Sequence, residues 1–111
     1  MYVRIARFEG LDPAHIDANV AERKRQMVGA RKSGEVPEGA PPQVRTLVET
    51  VDRAIEVVDR ENGTSVVMMF CKTEVNARRA DAALNEMSPD DGEGRRASAE
   101  IFEVVIDEHF S

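Results

Sequence analysis

Ile55-Glu56-Val57-Val58-Asp59-Arg60-Glu61-Asn62-Gly63-Thr64-Ser65-Val66-Val67-Met68-Met69-Phe70-Cys71-Lys72 is the stretch that decides the fold. Asn62-Gly63 separates two β-prone runs. Asn-Gly in that setting signals a hairpin, because a type I′ turn needs φ > 0 at both central residues. A two-residue turn sets Glu61 opposite Thr64, Asp59 opposite Val66, Val57 opposite Met68 and Ile55 opposite Phe70. The run from Val66 to Cys71 is apolar on both sides, the texture of a strand buried on both faces.

Working outward, Tyr2 to Phe8 alternates loosely and reads as a first strand that Gly10 ends. Asp12-Pro13 opens a helix. The Asp12 carboxylate suits the free first-turn N–H groups, and Pro13 suits the first helical position. Ile16, Val20 and Met27 form its apolar stripe, Glu22 to Arg25 lie mostly on the wet side, and Gly29 is its expected end. Ser33 to Pro42, rich in Gly, Pro and Glu, reads as a loop. Val44, Leu47, Val48 and Val51 repeat at i, i+3, i+4, i+7 and predict a short helical segment continuing the crossover. Thr73 caps a further helix with Val75, Ala80, Ala83, Leu84 and Met87 on its apolar side. An acidic loop, Ser88 to Gly94, follows, and Ile101 to Asp107 alternates as a fourth strand. The expected fold is α+β, a single ferredoxin-like β-α-β-β-α-β domain over residues 1–111, both helices covering one face of a four-stranded antiparallel sheet.

The pleat divides this sheet into two sets. Ile55, Val57, Val66, Met68 and Phe70 share a face, and Phe102, Val104 and Ile106 form a clean apolar set in the last strand. With Val3 and Ile5, these are expected to face the helices. The other face carries Val58, Val67, Met69, Cys71, Ile101 and Val105 mixed with Arg4, Glu56, Arg60 and Glu103, and Tyr2, Ala6 and Phe8 join it. No helix remains to cover that face. Burying Val67, Met69, Val105 and Phe8 would contribute roughly 1.5–3 kcal/mol each, so a homodimer through the sheet face is the expected solution.

Composition narrows the partners. The 111-residue chain carries a net charge of -6, with no basic stripe, no Trp and one Tyr. Nucleic-acid binding leans on Lys and Arg neutralising phosphates and on aromatic stacking, so neither nucleic acid nor an anionic membrane is expected. The longest apolar run, Val66 to Cys71, is far short of a membrane span. The one cysteine, Cys71, reads as a core thiol, and no basic-then-apolar leader opens the sequence. The expected setting is the cytoplasm. Two His and one Cys without clustered spacing predict no metal site and no cofactor.

Met1 to Gly10, Val58-Asp59-Arg60-Glu61-Asn62-Gly63, the apolar strand after it, and Ile101-Phe102-Glu103-Val104 together give a chain that resembles the dimeric α/β-barrel superfamily, and within it the antibiotic-biosynthesis-monooxygenase-like group. The resemblance spans almost the whole chain and lies in element order and texture. It implies paired sheets, with a pocket between sheet and helices or within the barrel. Members include cofactor-independent quinone-forming monooxygenases, haem-degrading enzymes and isomerases. The haem-degrading members use an Asn, a Trp and a His on the second helix. Asn19 could match the Asn, but Glu74 to Met87 holds no His and the chain no Trp. Of the Trp, Tyr and Arg of the better-known monooxygenases, only Tyr2 and Arg4 have counterparts.

The candidate ligand-binding residues are Tyr2, Arg4, Phe8, His15, Asn19, Met69 and Glu103, with a small hydrophobic molecule as the ligand. Arg4 can hold an anionic ligand or an enolate, as positioned cations do for developing oxyanions; its plainer reading is an ion pair with Glu103. His15, at helical spacing from Asp12 and Asn19, can act as a general base in a small polar cluster or simply be a surface histidine. The expectation is a homodimeric small-molecule-binding protein with no assigned activity. As an enzyme it would oxidise an aromatic or polyketide-like substrate without a metal; the alternative is a non-catalytic dimeric binding or stress-associated module.

Overall fold

The chain, described over residues 1–33, 41–87 and 94–111 in a computed structural model, runs β1 (Tyr2–Glu9), α1 (Ile16–Ser33), α2 (Pro42–Thr50), β2 (Arg53–Asp59), β3 (Thr64–Cys71), α3 (Glu74–Asn85) and β4 (Arg95–Glu103). The strands form one sheet in the order β2-β3-β1-β4, antiparallel at every junction. This α+β arrangement, with one crossover through α1 and α2 and one through α3, is compatible with a ferredoxin-like fold. Most of the expected loops at 33–42 and 88–94 lie outside the described residues. No described helix is long and apolar enough to cross a membrane.

Local chemistry explains the elements. The Thr73 hydroxyl accepts from the Asn76 amide at 3.1 Å and caps α3. Pro42 stands in the first turn of α2, where a missing N–H costs nothing. Asp12 receives the Ala14 amide at 3.0 Å in the turn that leads into α1. α1 runs past Gly29 to Ser33. Its stripe weakens along its length: Ile16 is buried, Val20 half-buried and Met27 exposed.

The hairpin forms around Asn62-Gly63 with a longer loop than the sequence suggests. Among the described residues only Gly10, Gly63 and Gly94 have positive φ, so Asn62 does not adopt the conformation a type I′ turn requires. Arg60–Gly63 instead make a four-residue turn. The Asp59 carboxylate organises it, accepting from the amides of Glu61 at 3.1 Å and Asn62 at 3.2 Å and from the Asn62 side chain at 2.7 Å. The bonds from Asn62, its side chain first, hold the Asp59 carboxyl below its ordinary range. The register moves by two residues, pairing Asp59 with Thr64, Val57 with Val66, Ile55 with Met68 and Arg53 with Phe70. Because side chains alternate with period two, the facing of every residue survives.

The helices cover the face opposite to the one expected. Arg4 of β1 bonds to Asp81 of α3, Glu56 of β2 bonds to Arg23 of α1, and Cys71 of β3 packs with Ala77 and Ala80 of α3 and with Leu47 and Val51. Tyr2, Arg4, Ala6, Val67, Met69 and Ile101 therefore look toward the helices. The reason is charge: Arg4, buried on a central strand, needs a partner, which Asp81 of α3 supplies, and Glu56 on the edge strand β2 pairs with Arg23 of α1. No described helix covers the greasier face, although Val3 within it is buried. Its cross-strand rows are Phe102, Val3, Phe70, Arg53; then Glu100, Ile5, Met68, Ile55; then Ser98, Arg7, Val66, Val57. Phe102 and Val57, at its corners, are both 47% exposed, and Arg53 lies over the Phe70 ring, 5.8 Å from its centroid.

β4 also lies earlier than its alternating sequence implies. It begins at Arg95 and ends at Glu103, matching β1, its partner among the described strands, which spans Tyr2 to Glu9. The Val104 amide still donates to the Met1 carbonyl at 2.9 Å, beyond the last residue of the strand. Val105, Ile106 and Phe110 lie outside the ladder and are exposed.

Gly94 enters β4 with φ +79, and a Cβ there would run into the Glu9 carbonyl. Gly10 has φ +71 with open space around it. Gly10→Ala is therefore expected to cost about 1 kcal/mol from backbone strain alone, and Gly94→Ala a further ~1–3 kcal/mol from overlap. Urea midpoints of the two variants measure the difference; equal losses would contradict the close approach of β4 to Glu9.

Candidate functional site

Arg4 is the most unusual residue of the structure. It occupies the middle of a central strand, in register with Met69 on one side and Ile101 on the other, and is 3% exposed. Its Nε donates to Asp81 Oδ1 at 2.8 Å. Asp81 reaches water, with 29% of its side chain exposed, and its other oxygen accepts from the Asn85 side chain at 3.2 Å. Arg4 Nη2 is buried and has no hydrogen-bond partner. Glu103, the partner suggested by the sequence, stands opposite Tyr2 on the same face but is exposed, and Arg4 pairs with Asp81 instead. Asp81 projects from α3 toward the sheet, whereas Glu103 lies at the open end of an edge strand.

A signal for Asp81 exists in the sequence. Ala77, Ala80, Asp81 and Leu84 repeat at i, i+3, i+4, i+7, so Asp81 sits within the stripe that α3 turns to the sheet. Ala77, Ala80 and Ala83 are the buried residues of this helix, while Val75, expected on the same side, is exposed.

The two long helices rest on different strands. α3 lies against β1, β3, β4 and α2. α1 is tied to the β2 side by Arg23 to Glu56 at 2.7 Å and by Asp17 to Arg60 of the hairpin loop at 2.6 Å. On the central strand β3 between them, Val67 and Met69 are only half-buried. Arg4, Tyr2 and Met69 are thus brought together on the helix side of the sheet, where the first two rows pair Tyr2 with Cys71 and Arg4 with Met69. Phe8 is on the same side but at the far end, opposite Ser65.

His15 and Asn19 belong to a different place, the start of α1. His15 Nδ1 and Asp12 Oδ2 are 2.7 Å apart, and the His15 side chain is 59% exposed. The Ala14 amide, and then the His15 side chain, hold the Asp12 carboxyl below its ordinary range. The Asn19 amide donates to the His15 carbonyl as part of the helix. The Asp12–His15 pair of the expected polar cluster therefore forms, on the surface and on another element from Arg4.

Cys71 is a buried thiol whose pKa is raised by burial and, secondarily, by the negative charge of Asp52; a thiol so placed is a poor nucleophile. A groove of about 270 Å³ lies between α2 and α3, lined by Pro42, Gln43, Thr46, Arg79, Ala82, Ala83 and Glu86. None of the candidate residues borders it. No family model matches the chain, and neither does any curated protein or solved structure.

Removing Asp81 leaves a buried guanidinium without its counter-charge, so Asp81→Ala is expected to cost about 3 kcal/mol. Arg4→Met removes the charge itself and leaves Asp81 in contact with water, an expected loss of about 1 kcal/mol or less. Urea unfolding of both variants tests the asymmetry, and a larger loss for Arg4→Met would place the critical burial elsewhere.

Proposed function

We propose that the chain works as a homodimer that binds a small apolar molecule, with the bare sheet face as the contact between copies. The observation carrying this reading is the face itself. Eight of the twelve residues in its three rows are apolar, the exceptions being Arg53, Glu100, Ser98 and Arg7, and α1, α2 and α3 each make contacts on the other side. Covering half-exposed residues such as Phe102 and Val57 contributes roughly 1.5–3 kcal/mol for each side chain that becomes fully buried. Two-fold pairing uses one self-complementary patch and requires no second protein.

Resemblance to the antibiotic-biosynthesis-monooxygenase-like group supports the same reading. The ligand then lies on the helix side, near Tyr2, Arg4 and Met69, and the dimer works in the cytoplasm. In its enzymatic form, the protein would let an aromatic substrate reduce oxygen with electrons of its own. The non-catalytic alternative has an observation in its favour: the acid–base pair Asp12–His15 sits on the surface, while Arg4 is already neutralised by Asp81. Oxygen uptake with phenolic substrates separates the two forms.

Sedimentation velocity at micromolar concentration is expected to return a two-chain particle for the wild type. The double variant Val57→Asp/Phe102→Asp, altered only at half-exposed corners, is expected to give a single chain with unchanged far-UV circular dichroism. A wild type that sediments as one chain would overturn the dimer.

A further inference from the structure

We infer that residues 104–110 form an arm that two copies of the chain exchange, each arm lying on the bare sheet face of the other copy. The inference rests on the two-chain reading above and adds the segment that joins the copies. It starts from three side chains. Val105, Ile106 and Phe110 are 81%, 79% and 101% exposed. Single exposed apolar residues are ordinary, but three on one short segment make an apolar surface that its own chain leaves in water.

The backbone decides where the arm can go. The Val104 amide bonds to the Met1 carbonyl at 2.9 Å, and residues 104–109 then make no turn or bend. The segment leaves the sheet beyond the row of Phe102, so reaching its own three rows would require a reversal that it does not make. An extended course keeps Val104 and Ile106 on the side of Phe102, which is the side of the bare rows. A two-fold axis laid across the strands just past that row puts the partner's rows under this arm and this copy's rows under the partner's arm. The reach is sufficient: seven extended residues span about 23 Å, whereas the three rows, from Arg53 to Val57 along β2, span about 13 Å.

Charge selects the same occupant. The arm carries Asp107 and Glu108, and the rows carry Arg7 and Arg53 against one acid, Glu100. All four of the matched groups are exposed, and among the described residues none of them forms an ion pair. Two copies of a chain with net charge -6 repel at long range, so a local match of acids to arginines is what orients them. Asp107 and Glu108 then meet arginines of the other copy, while Ile106 and Phe110 lie on its apolar rows.

An arm variant, Asp107→Arg/Glu108→Arg, and a face variant, Arg7→Glu/Arg53→Glu, test the exchange by sedimentation velocity over a dilution series of the full chain. Each variant alone sets like charges together at both arms and is expected to dimerise roughly tenfold or more weakly than the wild type. Mixed in equal amounts, the two are expected to pair with near wild-type affinity, because in the mixed dimer both arms meet opposite charge. An arm lying on its own copy's face gains nothing from mixing. Ile106→Ser/Phe110→Ser is expected to weaken the dimer roughly tenfold or more as well. Undiminished dimerisation of any of the three variants overturns the arm and leaves the two-chain reading standing. Weakening with no recovery in the mixture overturns the exchange between copies. A wild type that sediments as one chain overturns the two-chain reading itself, and the arm with it. The two variants of the arm alter only exposed residues outside the ladder, so the test survives a face variant that does not fold.

Discussion

A guanidinium on the middle of a central strand cannot be left without a counter-charge, and the pairing of Arg4 with Asp81 organises much of this structure. It fixes the rotation of α3 about its own axis, because Asp81 must look at the sheet. Ala77 and Ala80 follow it inward, and their small side chains let the helix approach Cys71 closely. Arg23 and Glu56 act in the same sense for α1 over the edge strand β2. Once both helices are committed to the charged face, nothing in the described chain covers the other.

One sheet thereby acquires two different surfaces, and β1 contributes to both. Its residues 2, 4 and 6 build the layer beneath α3, and residues 3, 5 and 7 stand in the bare rows. A strand flanked by partners on both sides is a rigid support for this division, since its ladder bonds to β3 and β4 hold each side chain at a set height. The candidate ligand-side residues Tyr2 and Arg4 and the candidate contact residues Val3 and Ile5 are neighbours in the chain, so any displacement of β1 moves both sets together.

Element order is legible from local signals: Asn62-Gly63 for the hairpin, Thr73 for the cap of α3, the spacing of Val44, Leu47, Val48 and Val51 for α2. These depend on a few adjacent residues, and local chemistry determines them. The assignment of faces fails because it ranks the two sides by greasiness alone. The apolar set of Val57, Met68, Phe70 and Phe102 looks like a core, but the buried Arg4 needs a partner, Asp81 supplies it and Arg23 pairs with Glu56, and those partners are remote in sequence. The end of β4 is misplaced for a related reason: alternation from Ile101 to Asp107 describes a strand-like segment, but a ladder lasts only as long as its neighbour. Of the candidate site, Tyr2, Arg4 and Met69 come together on one face. Asp81 is easily overlooked because a single acid among alanines reads as solvated unless its helical phase is followed, and His15 with Asn19 belongs to another part of the surface.

The hairpin tip shows how this architecture tolerates changes in chain length. Moving from a two-residue to a four-residue turn alters every cross-strand partner of β2 and β3 yet exchanges no residue between inside and outside. Length variation along these strands is therefore quantised. A lineage could gain or lose residues in pairs and keep Glu56 under α1 and Val57 in the open, whereas a single-residue slip would bury Val57 against α1 and strand a carboxylate among the aromatic rows.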